Sequence, residues 1–155
     1  MNDSDVEFIF DLYNQPSFKE NIGERGIDTL EDAANAIRHN QHHYTNLGYW
    51  LYTIELNQTG EQVGINGLVK REQLEHPDIG FAFLPQFWRL GYAHESSLAI
   101  LDHAKNLSLK TVLAITSPQN QASQALIRKL GFESRGQTQL DENDTVNLFR
   151  IELTT

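Results

Sequence analysis

The stretch Ile79–Gly91, IGFAFLPQFWRLG, followed by Tyr92-Ala93-His94-Glu95-Ser96, is the part of this chain best suited to chemistry. It reads as a short buried strand closed by Pro85, then a loop holding Gly91, then a helix that starts at once. Such an arrangement points several backbone N–H groups at one spot on the positive end of a helix dipole. That is an anion site, most naturally for a phosphate. The loop carries one glycine rather than three, so it is neither a dinucleotide fingerprint nor a P-loop. The same residues also fit an ordinary strand-to-helix turn, and spacing alone leaves both readings open. His39, His42 and His43 fall with Tyr44 at the expected end of an earlier helix. Adjacent histidines face different ways, and no carboxylate follows at ligand spacing, so no metal site is expected there. His103 reads as a surface or packing residue. Glu20, Glu24 and Asp28 could draw in a cation, but they read first as solvated loop charge.

The elements that must hold these residues follow from periodicity. A first helix is capped by Asp3 or Ser4 and carries Val6, Ile9, Phe10 and Tyr13 on one face. Asn14-Gln15-Pro16 breaks it, and a loop with Gly23 and Gly26 follows. Thr29-Leu30-Glu31-Asp32 fits a capping box, and Leu30, Ala33, Ala34 and Ile37 stripe a second helix that ends near Asn40. Tyr49 to Leu56 and Val63 to Val69 are strands of a hairpin about Asn57–Gly60. His76-Pro77 precedes the strand Ile79 to Leu84. A helix spans Tyr92 to Asn106, with Leu98, Leu101 and Ala104 inward. Lys110 to Thr116 is a dense β-branched run that reads as a central strand. A helix from Gln121 to Leu130 stops at Gly131, and the tail holds one antiparallel strand with Val146, Leu148 and Ile151. The order α-α-β-β-β-α-β-α-β predicts an α/β (α+β) layer with helices on both faces of a mixed sheet.

Composition narrows the function classes. The 155 residues imply one domain, 1–155, large enough to fold without staples. There is no cysteine, which excludes a disulfide framework, a thiolate metal site and a cysteine nucleophile, and points to a reducing compartment. The net charge of −9 and pI near 5.0 argue against nucleic-acid and anionic-membrane binding. No apolar run approaches the ~18 residues of a membrane span, and MNDSDVEF lacks the basic and apolar regions of a secretory signal. A cytoplasmic location is the expectation.

Trp88-Arg89-Leu90-Gly91-Tyr92-Ala93 resembles the acetyl-CoA pyrophosphate loop of the GNAT acetyltransferases, and in particular the RimJ/RimL-like branch. Asp78-Ile79-Gly80-Phe81 and Leu84-Pro85 are similar to the strand that precedes that loop. Ser117-Pro118-Gln119-Asn120-Gln121-Ala122-Ser123, followed by Leu130-Gly131-Phe132, resembles the family's second signature at the right separation. The likeness covers about residues 49 to 136. Arg89 stands where glycine is usual and His94 where a hydroxyl is frequent. Members of the family usually place a strand ahead of the first helix, and this chain starts almost at that helix.

The resemblance implies the GNAT fold, with two central parallel strands that splay apart. It implies acetyl-CoA as co-substrate and no metal. The pyrophosphate would lie on the amides of Arg89 to Ala93, and the pantetheine arm would run along Phe83 and Leu84. Asn120 would contact that arm, although an N-cap explains it equally. The chemistry would be direct acyl transfer to a primary amine, whether a protein N-terminus or a small molecule, with a strand N–H stabilising the oxyanion. A lysine-like amine, with pKa about 10.4, costs about 4.6 kcal/mol to deprotonate at pH 7, whereas an α-amino group costs about 1. Asp78 is the implied general base, ahead of Glu75 and His76, and reads otherwise as a solvated strand-end carboxylate. The family's acidic tyrosine would fall at Ile127 and is missing. Ser123 would hydrogen-bond the departing thiolate, or else is a plain helix-face serine. Many proteins of this fold pair through their last strands, so a homodimer is one expectation. The alternatives are a non-catalytic acyl-CoA-binding or sensing module of the same fold, and a ligand-free interaction domain.

Overall fold

A computed structural model describes residues 1–154. Helix α1 (Val6–Tyr13) and helix α2 (Pro16–Asn21) open the chain after a single 3-10 turn at Asp3–Asp5. Pro16 both stops α1 and starts α2, because proline suits the first helical position, where no N–H is needed. In the sequence Pro16 reads only as a breaker, and nothing there marks α2. Phe18 makes α2 worth forming: it is buried and stacks on Tyr13 with centroids 4.5 Å apart.

Helix α3 (Leu30–Leu47) begins in a reciprocal capping box, with Asp32 N–H on the Thr29 hydroxyl and Thr29 N–H on the Asp32 carboxylate. It does not end near Asn40. It runs two further turns to Gly48, whose φ of 82° supplies the left-handed cap. The apolar stripe stops at Ile37, which misled the reading, because the next inward residue is polar. The buried Asn40 side chain both donates to Leu51 O at 3.0 Å and accepts from Leu51 N–H at 3.3 Å, standing in for a neighbouring strand.

Strands β1 (Leu51–Glu55), β2 (Gln62–Val69) and β3 (Asp78–Phe83) form an antiparallel meander. Helix α4 (Tyr92–Asn106) crosses over to strand β4 (Thr111–Thr116), which lies parallel to β3. Helix α5 (Gln121–Lys129) and the hairpin of strands β5 (Glu133–Asp141) and β6 (Asp144–Glu152) complete a six-stranded sheet in the order β1-β2-β3-β4-β6-β5. One strand was expected in the tail, but two form. Nearly every β5 residue is exposed, so it carries no apolar alternation to read. No strand precedes α1 among the described residues.

Two apolar layers sandwich the sheet. Phe8, Ile9 and Leu12 of α1 and Ala33 and Ile37 of α3 pack on Ile65 and Ala82. Ile100, Leu101 and Ala104 of α4 and Ile127 of α5 pack on Leu68, Ile79, Val112 and Phe149. Leu98, expected inward, is 45% exposed. Its neighbour Ser97 turns in instead and accepts from Asn66 Nδ2 at 2.9 Å, while Ser96 accepts from the same nitrogen at 2.8 Å.

Candidate active site: a gap between two parallel strands and an open helix end

Strands β3 and β4 pair only at Asp78↔Leu113 and Ile79↔Ala114. Beyond Ile79 they part. Leu113 N–H donates to Pro77 O at 2.9 Å, and strand alternation then aims the N–H and C=O of Ile79, Phe81 and Phe83 toward β4. Past the last paired position, Phe81 therefore presents both its backbone groups, and Phe83 its N–H, to an open gap. The splaying implied by the resemblance is present. Leu84 is different. Its N–H donates to Val63 O at 3.0 Å and its carbonyl accepts from Phe87 N–H at 2.9 Å, so its backbone is already engaged. Phe81, which the sequence does not place along the arm, has the free backbone instead. Register parity was the signal available for it.

The gap leads to the start of α4. Trp88 N–H bonds to Pro85 O at 3.2 Å, and the first helical bond runs from Glu95 N–H to Gly91 O at 2.9 Å. Between them, the N–H groups of Arg89, Leu90, Gly91, Tyr92, Ala93 and His94 have no protein acceptor among the described residues. Gly91 is the N-cap, with φ 86° and no side chain to offer. Arg89 also adopts a left-handed conformation, with φ 61°, which for a residue bearing a Cβ stores about 1–2 kcal/mol. Two left-handed residues in three bend the chain sharply ahead of α4, and turns of this kind can gather successive amides into an anion-binding concavity. The Trp88 indole N–H donates to Phe83 O at 2.9 Å, so this half-exposed ring lies over the mouth of the gap.

Asp78 lies at the other end of β3. It is 1% exposed, and its carboxylate accepts from Arg71 Nε at 3.0 Å. By alternation with Ala82 it faces the α1–α3 layer. Burial pushes its pKa up to about 6, against the opposing pull of Arg71 and Lys70. It is not a solvated strand-end carboxylate. Glu75 and His76 sit 3.9 Å apart on the loop before it. Asn120 caps α5, its Oδ1 accepting from Ser123 N–H at 3.2 Å. The Ser123 hydroxyl has no protein partner among the described residues. Ile127 is buried in the α4–α5 layer and offers no proton. Two buried polar atoms carry no signal in the apolar periodicity: Thr116 Oγ1 at the end of β4 and Asn66 Oδ1 beneath α4, neither with a partner among the described residues. An asparagine inside the apolar run VGINGLV is nonetheless a visible signal for the second.

Two cavities lie elsewhere. One of about 460 Å³ opens between the β1–β2 turn and Tyr92, Glu95 and Ser96 of α4. One of about 250 Å³ lies between Asn40 and Tyr44 of α3 and Leu51 and Tyr52 of β1. His103 holds Tyr52 OH at 3.2 Å, tying α4 to β1 as a packing residue. Among the described residues, no group of three or more histidine, aspartate or glutamate side chains gathers as a metal site. No described helix is long and apolar enough to cross a membrane.

Known proteins resemble this chain in sequence or in fold. The uncharacterized N-acetyltransferase YoaA of Bacillus subtilis (strain 168) is 25% identical over 138 residues, 88% of this chain and 78% of that protein. RimL, a ribosomal L7/L12 alpha-N-protein acetyltransferase solved in complex with coenzyme A, has the same fold. It superposes with a TM-score of 0.86 at 19% identity, covering 99% of this chain and 91% of that one. Spermidine N-acetyltransferase from Vibrio cholerae, solved with CoA and spermine, superposes with a TM-score of 0.80 at 17% identity, over 98% and 92% of the two chains. Residues 1–133 match the Acetyltransf_3 family, the acetyltransferase (GNAT) domain. The chain is an acetyltransferase and belongs to the GNAT family.

Proposed function

We propose that this acetyltransferase, a single domain of the RimJ/RimL type, moves the acetyl group of acetyl-CoA onto a primary amine. The observation that carries the reading is the run of six unpartnered amides from Arg89 to His94 at the foot of the β3–β4 gap. A pyrophosphate fits those donors and the positive end of α4. An extended arm carrying amides fits the free backbone of Phe81 and Phe83, which otherwise only water would satisfy. Acetyl-CoA supplies the acyl carbon: a C–N bond forms as the C–S bond breaks, and the sulfur leaves as thiolate and takes up a proton.

The chain's own residues take the remaining roles. The Ser123 hydroxyl is free to donate to the departing sulfur. Asp78 is the proposed base. Burial makes its carboxylate a stronger base than an ordinary aspartate, and it is still ionised at pH 7. The acceptor is an amine. RimL acts on a protein α-amino group and the Vibrio enzyme on spermidine, so both a protein N-terminus and a polyamine are candidates.

Two observations favour a second reading, a non-catalytic acyl-CoA-binding module. Asp78 is closed off by Arg71, and Ile127 stands where a proton donor is usual in the family. The test is calorimetric titration with acetyl-CoA, followed by amine screening. The parent binds in the micromolar range, and Gly91→Pro loses binding by a hundredfold or more, because proline cannot adopt φ 86° and removes the Gly91 N–H. A folded Gly91→Pro variant that binds as the parent does would sink the site. Acetyl transfer that falls in Asp78→Asn supports the catalytic reading. Binding with no transfer to any amine supports the module.

A further inference from the structure

The extension of α3 to Leu47 changes what its histidines can do. A helix ending near Asn40 would leave them on a frayed end. In the helix as it stands, His39 and His43 are four residues apart and share one face. Their Nε2 atoms lie 3.0 Å from each other. We propose that His39 and His43 chelate a late divalent transition ion, copper(II) or nickel(II), through those two nitrogens, with water completing the coordination. This inference is independent of the acetyltransferase reading.

Two imidazole nitrogens 3.0 Å apart, each at the usual ~2.0–2.1 Å from a metal, subtend roughly 91–97° at the ion. That is the angle between neighbouring ligands in the tetragonal sites of copper(II) and nickel(II), and it is narrower than the tetrahedral angle zinc favours. The His43 ring is already held in place. It lies flat on Trp50, with centroids 3.9 Å apart and planes 15° apart, so little freedom remains to be lost on binding. His39 is exposed, which gives an ion access from solvent. His42 points elsewhere and pairs with Asn46 at 3.0 Å, so it takes no part. As they stand, one neutral ring donates its Nε2–H to the other, the tautomers deciding which. Chelation requires the donor ring to carry its proton on Nδ1, so that both Nε2 lone pairs face the ion.

The test uses the untagged chain at pH 7.5, titrated with copper(II) or nickel(II) chloride. Trp50 is the reporter, since an ion bound to the ring it stacks on quenches its fluorescence. The expected result is saturable quenching at one ion per chain in the micromolar range, with a copper EPR spectrum showing two equivalent nitrogen ligands. His39→Gln weakens binding at least tenfold, and His42→Gln leaves the curve unchanged. A Trp88→Phe background keeps the signal, which assigns it to Trp50. An unchanged curve in His39→Gln, an equal loss in His42→Gln, or an EPR spectrum with no nitrogen pair overturns the proposal.

Discussion

The two ends of strand β3 make opposite use of the same polar backbone. At the Asp78 end every group finds a protein partner. Leu113 N–H closes on Pro77 O, β4 pairs in register, and Arg71 holds the Asp78 carboxylate under a cover that leaves it 1% exposed. At the Phe83 end the strand's neighbour has gone, and six successive amides of the following turn have no acceptor. Helix α3 shows that this chain can close a helix start when it needs to, through Thr29 and Asp32. Helix α4 begins on a glycine with nothing to offer. Arg89, Leu90 and Gly91 are exposed, so water can serve their amides, and in the proposed complex the oxygens of the ligand take the place of that water.

The closed end gives the largest expected effect on stability. The Asp78 pKa rises from 3.8 to about 6 on folding, so the folded state holds that proton more tightly than the unfolded chain does. Protonated Asp78 therefore contributes stability that is complete below about pH 4 and is lost as pH rises through 6. Two pKa units and a little more correspond to about 3 kcal/mol. Asp78→Asn cannot ionise and escapes this loss. Arg71, still partly exposed, recovers water in place of its partner. Urea unfolding should find parent and variant alike at pH 4, and the variant more stable by up to about 3 kcal/mol at pH 8. A variant that is weaker at pH 8 would show instead that the ion pair outweighs the burial cost.

That end was the less legible one. Asp78 stood out in the sequence as a carboxylate at a strand start, but its burial depends on Arg71, seven residues away across a loop that no periodicity describes. The open end was readable because its signal is local: a short apolar strand, Pro85, Gly91 and a helix, all contiguous. Even there the parity of the strand was missed, and Leu84 was named where Phe81 has the free backbone. The elements that failed share a cause. Helix α2 rests on one buried phenylalanine, the second half of α3 on a polar Asn40, and β5 on backbone pairing with β6. None of these writes an apolar period into the chain.

A smaller effect sharpens the open end. Arg89 is held at φ 61°, a conformation that glycine adopts without strain. Arg89→Gly relieves about 1 kcal/mol of strain in the fold, offset in part by the greater freedom of glycine when unfolded. Thermal unfolding should place the variant level with the parent or up to about 1 kcal/mol above it. If Arg89 only supplies an amide, the affinity for acetyl-CoA stays within twofold. A tenfold loss would mean that its guanidinium reaches a phosphate as well.

The smallest effect concerns Trp88. Its indole N–H holds Phe83 O at 2.9 Å, and that carbonyl faces the gap an incoming arm must enter. In the proposed complex, an arm amide and the indole compete for the same acceptor. Trp88→Phe keeps an aromatic ring over the mouth and removes the competing donor, whose net worth is that of one hydrogen bond to a neutral group, about 0.5–1 kcal/mol. Acetyl-CoA should then bind roughly two- to fivefold tighter, while 3′-phospho-ADP, which ends at the pyrophosphate, gains nothing. If both ligands weaken together, the indole positions the amide loop rather than latching the gap. If both are unchanged, the Phe83 carbonyl lies outside the path of the arm, and the open end of β3 serves through its amides alone.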